Sequence, residues 1–265
     1  MPLHPPEIAI PVMRRALAQA QQIADVALLS DVRLREDDQL GFMAMCFTYK
    51  QLTHAKSVSL LLDSFQHIDA ATIARTMLEG LVLIAWSALM PSERPLRWRA
   101  YSLVSDWKLL LNDECNGKPA PQGKRAELSA RLAEFSEFLT GGAKRRGTEH
   151  FPDPYQGTWR VDASGAKVEL KDMVVELGDP KIKLVYDELS QVGHWTPRGV
   201  AVDISTGSDR TVIGFRNNNL AAMACGAAFQ ALSQTFLIFT QHRDGIPNSN
   251  MQRVIDDYIA ELSDA

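Results

Sequence analysis

Two long apolar stretches, MLEGLVLIAWSALM (Met77 to Met90) and LAAMACGAAFQALSQTFLIF (Leu220 to Phe239), constrain this chain more than any other feature. The first is too short to cross a bilayer. The second carries Gln230, Ser233, Gln234 and Thr235 in its second half, so both read as helices buried in a protein core rather than as membrane spans. A chain of 265 residues with 46% hydrophobic content has ample material for such a core.

The pattern around these stretches is helical as well. Val12, Ala16, Ile23, Ala27 and Leu28 recur at three- and four-residue steps and predict a helix over 11–30, ended by the polar RLREDDQ. A second helix is expected from Leu40 to about Gln66. A third should begin at Ala70 with Asp69 as its cap and stop near Met90, ahead of Pro91 and Pro95. The segments RWRAYSLVSDWKLLL and RAELSARLAEFSEFL follow, the latter ending at Gly141 and Gly142. Residues 112–124 read as an exposed connection and 143–165 as an irregular loop anchored by Trp159. Short helices are expected from Glu169 to Leu177 and from Pro180 to Val192, with Asp179 as cap of the second. VAVDI and TVIGF flank STGSDR and predict a β-hairpin at about 199–215; helices over 218–242 and 250–262 close the chain. The reading is a mostly α fold, a single-domain helical bundle over 1–265 with one small hairpin. Ala222, Gly226 and Ala227 permit close helix approach, within the chain or with a second copy.

A net charge of −4 and a pI near 5.9 speak against a wholesale polyanion-binding surface, so any nucleic acid must meet a local patch. AKRRG (Ala143 to Gly147) with Arg94, Arg97 and Arg99 reads as a solvated charged face. Cys46, Cys115 and Cys225 lack C-x-x-C spacing and fit reduced thiols. With no signal-peptide pattern at the start, a cytoplasmic protein is expected. The six histidines show no H-x-x-x-H or H-E-x-x-H, and no Walker or dinucleotide fingerprint is present, so no metal and no cofactor are expected.

Two constellations remain. Within ARTMLEG, Arg75 and Glu79 stand four apart in the most apolar run of the chain, a spacing that lets them pair along one helix face. Burying such a pair costs more than leucines would, so it serves either to tie helices together or to line a polar pocket. In YDELSQVGHW, Tyr186, Ser190 and His194 step by four along one flank while Ile182, Val185, Leu189 and Val192 face inward. Pro197 ends that helix and leaves His194 near its C-terminus, where the dipole favours the charged imidazole. Ser190 and His194 lack the oxyanion donor and elbow of a nucleophilic site.

Arg75-Thr76-x-x-Glu79, then Trp159, then Tyr186-x-x-Leu189-Ser190-x-x-x-His194 resembles a widespread bacterial family known only as a domain of unknown function, the one numbered 5677, over about 40–200. The resemblance implies a helical fold and groups these residues, with no activity attached. An Arg and a His converging in a helical bundle is also loosely similar to HEPN-type ribonucleases and defence proteins. The only R-x(4)-H match, Arg145 to His150, lies in the irregular loop rather than on a helix.

From these observations Arg75, Glu79 and His194 are the candidate catalytic residues, and Tyr186, Ser190 and Trp159 the candidate binding residues. The expected function is a non-enzymatic interaction or regulatory module in which the polar cluster is an internal latch, with a homo-oligomer, an anionic small molecule or RNA as partners. The alternative is a nucleotide- or RNA-directed enzyme using Arg75 and His194.

Overall fold

The computed structural model describes residues 5–29, 34, 37–135, 158–192, 217–243 and 248–264, together with the backbone of 204–206 and 211–213. The described residues are predominantly helical: α1 (Pro6–Leu29), α2 (Gln39–Asp63), α3 (His67–Ala88), α4 (Arg94–Cys115), α5 (Lys124–Ala133), α6 (Leu170–Leu177), α7 (Pro180–Val192), α8 (Asn218–Thr240) and α9 (Ser249–Asp264). Of the hairpin expected at about 199–215, the described residues contain a three-pair antiparallel ladder, Ile204–Thr206 against Thr211–Ile213. The turn between them and the outer flanks lie outside the described residues.

The chain groups into two compact units, Met1–Trp86 with Met173–Ala265, and Ser87–Asp172. In the first, α8 is the central helix. Asn217 caps it by accepting from the Leu220 amide at 3.0 Å, and α1, α2, α7 and α9 pack on it. Among the described residues α8 alone is long and apolar enough to cross a membrane by length and composition, and 61% of its apolar window is buried inside the protein. Phe236 and Phe239 are fully buried there, each large apolar side chain contributing about 1.5–3 kcal/mol. A methyl built on Gly226 would lie 3.6 Å from Met13 and 3.8 Å from Tyr258, so the small-residue stripe of α8 faces helices of its own chain, α1 and α9. In the second unit, Ala100, Leu103, Val104, Trp107 and Leu110 of α4 form a core with Leu128 and Leu132 of α5.

Several boundaries differ from those read in the sequence. Helix α1 begins at Pro6 and runs through Pro11, losing only the bond that a Pro11 amide would have made, while buried Ala9 keeps the first turns against the core. Helix α3 begins at His67, which places Asp69 inside its first turn instead of at the cap. The α2–α3 connection needs only Ser64 to Gln66, because Phe65 adopts φ of 57°, a left-handed turn unmarked by glycine. Helix α4 continues to Cys115, into the segment expected to be a loop from 112. The cap expected at Gly141 and Gly142 lies outside the described residues. Asp179 does cap α7, its Oδ1 accepting from the Lys181 amide at 3.1 Å.

Candidate functional site

On α3 the fully buried Ala70, Ala71, Ala74, Met77, Leu78 and Val82 define the inward face, and Arg75 stands half-buried at its border. On α7, Ile182 and Leu189 point into the core, leaving Tyr186 and Ser190 one turn apart on the adjoining flank. Arg75 reaches across to both. Its Nε donates to Ser190 Oγ at 2.6 Å, its Nη2 donates to Tyr186 Oη at 2.7 Å, and its Cζ lies 4.9 Å from the centroid of the Tyr186 ring. The guanidinium is thus oriented by two hydroxyls and an aromatic face, a contact available to the planar arginine group.

The intrahelical pair expected between Arg75 and Glu79 is not formed. Glu79 is half-buried on the same helix, and among the described residues no ion pair or hydrogen bond engages its carboxylate. The physical reason is partner geometry: two oxygens one turn apart on α7 match the arginine fork, so the side chain turns toward that helix. No described carboxylate neutralises Arg75, and its Nη1 has no acceptor among the described residues. Both hydroxyls act as acceptors toward the guanidinium, so each keeps its own proton to donate. One positive charge and several donors therefore stand close together, an arrangement suited to an anionic group.

Of the other residues singled out in the sequence, His194 lies outside the described residues. Trp159 is half-buried in the second unit, next to buried Thr158 and just before the Val161–Lys167 bridge. Among the described residues no group of three or more His, Cys, Asp or Glu side chains stands close enough to hold a metal ion. His67 Nδ1 instead accepts from the Asn217 amide at 2.9 Å, joining the start of α3 to the start of α8. His54 has its Nε2 buried without a partner among the described residues. Burial, and secondarily the charge of Lys50, lowers its pKa from 6.5.

Sequence reading missed the residue that explains the last letter of ARTMLEG. Gln51 of α2, 3% exposed, donates from Nε2 to the Met77 carbonyl at 2.8 Å, and a Cβ on Gly80 would stand 2.9 Å from that nitrogen. Glycine at 80 leaves room for the amide. A polar residue on the buried face of α2 and a glycine in the facing helix were the available signals. Also unforeseen is the bond from Trp86 Nε1, on a fully buried ring, to Glu176 Oε2 at 2.6 Å.

Fold and site together define a helical protein carrying a half-buried arginine held by hydroxyls instead of by a carboxylate. The model of the family described as Family of unknown function (DUF5677) matches residues 41–211, and the chain belongs to that family. Compared with the curated proteins and with the solved structures, the chain matches none.

Proposed function

We propose that this chain is a cytoplasmic, non-enzymatic interaction or regulatory module that receives the anionic group of a small molecule at Arg75. One observation carries the reading: the Arg75 guanidinium is fixed by Ser190 and Tyr186, with no described carboxylate paired to it. These two bonds join α3 to α7 without neutralising the charge. Neutral hydroxyls leave the charge available and add two donors of their own. A homodimer through an apolar helix face is the assembly proposed with this role.

Isothermal titration of the full chain with inorganic phosphate, sulfate and adenosine nucleotides tests the reading. Saturable binding that Arg75→Ala abolishes, and that Tyr186→Phe and Ser190→Ala weaken without unfolding the protein, is the expected result. Heats indistinguishable from dilution for every anion would refute it. A labelled RNA incubated with the same preparations provides the contrast. Cleavage lost in both Arg75→Ala and His194→Ala would replace the module with a nucleotide- or RNA-directed enzyme, in which Arg75 holds a phosphate and His194 transfers a proton.

A further inference from the structure

Three polar atoms in the first unit are buried without a partner among the described residues, on side chains that are themselves almost wholly enclosed: Thr48 Oγ1 and Gln51 Oε1 on α2, and Thr235 Oγ1 on α8. Thr48 and Thr235 are 0% exposed and Gln51 is 3% exposed. Each such atom is costly to enclose, which makes three in one helix pair a feature that requires an account.

The contacts at the two ends of the pair show that these atoms share one level. Near the start of α2, Asp38 Oδ2 lies 3.1 Å from His242 Nδ1, and a Cβ on Gly41 would lie 3.0 Å from His242 Cβ. At the other end, His67, just beyond α2, accepts from Asn217, the cap of α8. The two helices are therefore antiparallel. Thr48 stands seven positions after Gly41 and Thr235 seven positions before His242, which puts both about 10 Å along the pair at 1.5 Å per residue. Gln51 follows Thr48 by three positions on the same buried flank of α2, less than one turn away.

The hydrogen-bonding capacities are also complementary. The nitrogen of the Gln51 amide must face the Met77 carbonyl, since an oxygen there would meet another acceptor, so Oε1 is fixed as a group that can only accept. Two threonine hydroxyls, each able to donate and accept, stand on facing helices at that level.

We infer that one water molecule occupies the interior between α2 and α8, donating to Gln51 Oε1 and to one threonine Oγ1 and accepting from the hydroxyl of the other. Three hydrogen bonds are the usual complement of a buried water, and chains of this size commonly hold several such waters. This water joins α8 to the Gln51 amide, and through it to the Met77 carbonyl between Arg75 and Glu79. It is a positioning element for the helix that bears the proposed anion site, although its existence is independent of that function. The competing arrangement needs no solvent: each threonine χ1 turns so that its hydroxyl donates to the carbonyl four residues earlier, of Ala44 and of Ala231.

A crystal structure of the full chain at a resolution that orders internal solvent decides between them, together with water-to-protein NOEs recorded on the wild-type protein in solution. The expected result is a water within hydrogen-bond distance of all three atoms and NOEs from it to the Thr48 and Thr235 methyl groups. In denaturant titrations, Thr48→Val and Thr235→Val should each lower the folding equilibrium constant about fivefold by removing one bond from the water. Hydroxyls turned onto the Ala44 and Ala231 carbonyls with no solvent between the helices would overturn the inference. So would valine variants that fold with an unchanged or larger constant. Should the variants fail to fold, the wild-type density and NOEs still distinguish the hydrated interior from the dry one.

Discussion

Gly80→Ala is the substitution in which the packing of α3 against α2 is most directly tested, because two effects of known sign oppose each other there. Alanine in a helix interior is favoured over glycine by about 1 kcal/mol. The new methyl, however, would lie 2.9 Å from Gln51 Nε2, and ordinary contact requires that nitrogen to retreat by about half an ångström. Its bond to the Met77 carbonyl is 2.8 Å long and the residue is 3% exposed, so a nitrogen that swings out of line with the carbonyl as it retreats loses the bond with no solvent to replace it. A buried donor left unsatisfied costs about 1–3 kcal/mol. The sum is a loss of about 1 kcal/mol for Gly80→Ala in the natural background. With Gln51→Ala already in place the clash is absent, and the same substitution should stabilise by up to about 1 kcal/mol. Urea unfolding of the four proteins in this cycle should therefore give a coupling energy near 2 kcal/mol with a reversal of sign. Stabilisation by Gly80→Ala to the same extent in both backgrounds would show that Gln51 does not occupy the space facing Gly80.

Three further outcomes follow from the same geometry. Because Glu79 is not paired with Arg75, Arg75→Ala strands no carboxylate and should cost about 1–2 kcal/mol, the value of its two hydroxyl bonds at a half-exposed site. A loss of about 3 kcal/mol or more that Glu79→Ala relieves, seen in chemical denaturation, would restore the ion pair as the reason for both residues. His54 titrates below 6.5 in the folded chain, so its neutral form is the one that folding favours. Above 6.5 both states are neutral there. As pH falls through that value the unfolded chain takes up the proton first and stability declines toward the folded pKa. Denaturation midpoints of His54→Gln against wild type should lack that part of the acid-side decline, and superimposable pH profiles would contradict it. Cys225 is buried, with its thiol pushed up to about 12, whereas Cys115 is exposed. Timed alkylation read by mass spectrometry should modify Cys115 first and Cys225 only on unfolding; early labelling of Cys225 would mean that α8 opens readily.

The helices were legible because the signals that mark them are local. Apolar spacing marked α2, α7 and α8, and Asp179 announced a boundary through a side chain acting on its own neighbourhood. The boundaries that moved are those set by distant groups. No glycine signals the turn at Phe65, and the start of α3 at His67 becomes intelligible only once the His67 ring is seen accepting the Asn217 amide at the head of α8, 150 residues away. The site divides in the same way. Four-residue spacing placed Tyr186 and Ser190 on one flank and Arg75 and Glu79 on one face, which periodicity alone can establish. Spacing cannot rank the partners available to a long flexible side chain.

For Arg75 the choice lay between one carboxylate on its own helix and two hydroxyls on another, and tertiary structure supplied the second option with a fork of matching reach. An intrahelical pair would have closed on α3 itself, whereas the contact observed joins α3 to α7. Separation leaves a guanidinium facing neutral oxygens and a carboxylate without a partner among the described residues. Gly80 and Gln51 then acquire a role in the same arrangement: they seat α3 from the opposite side, at the Met77 carbonyl that lies between the two charges, and so fix the rotation of the helix that presents them.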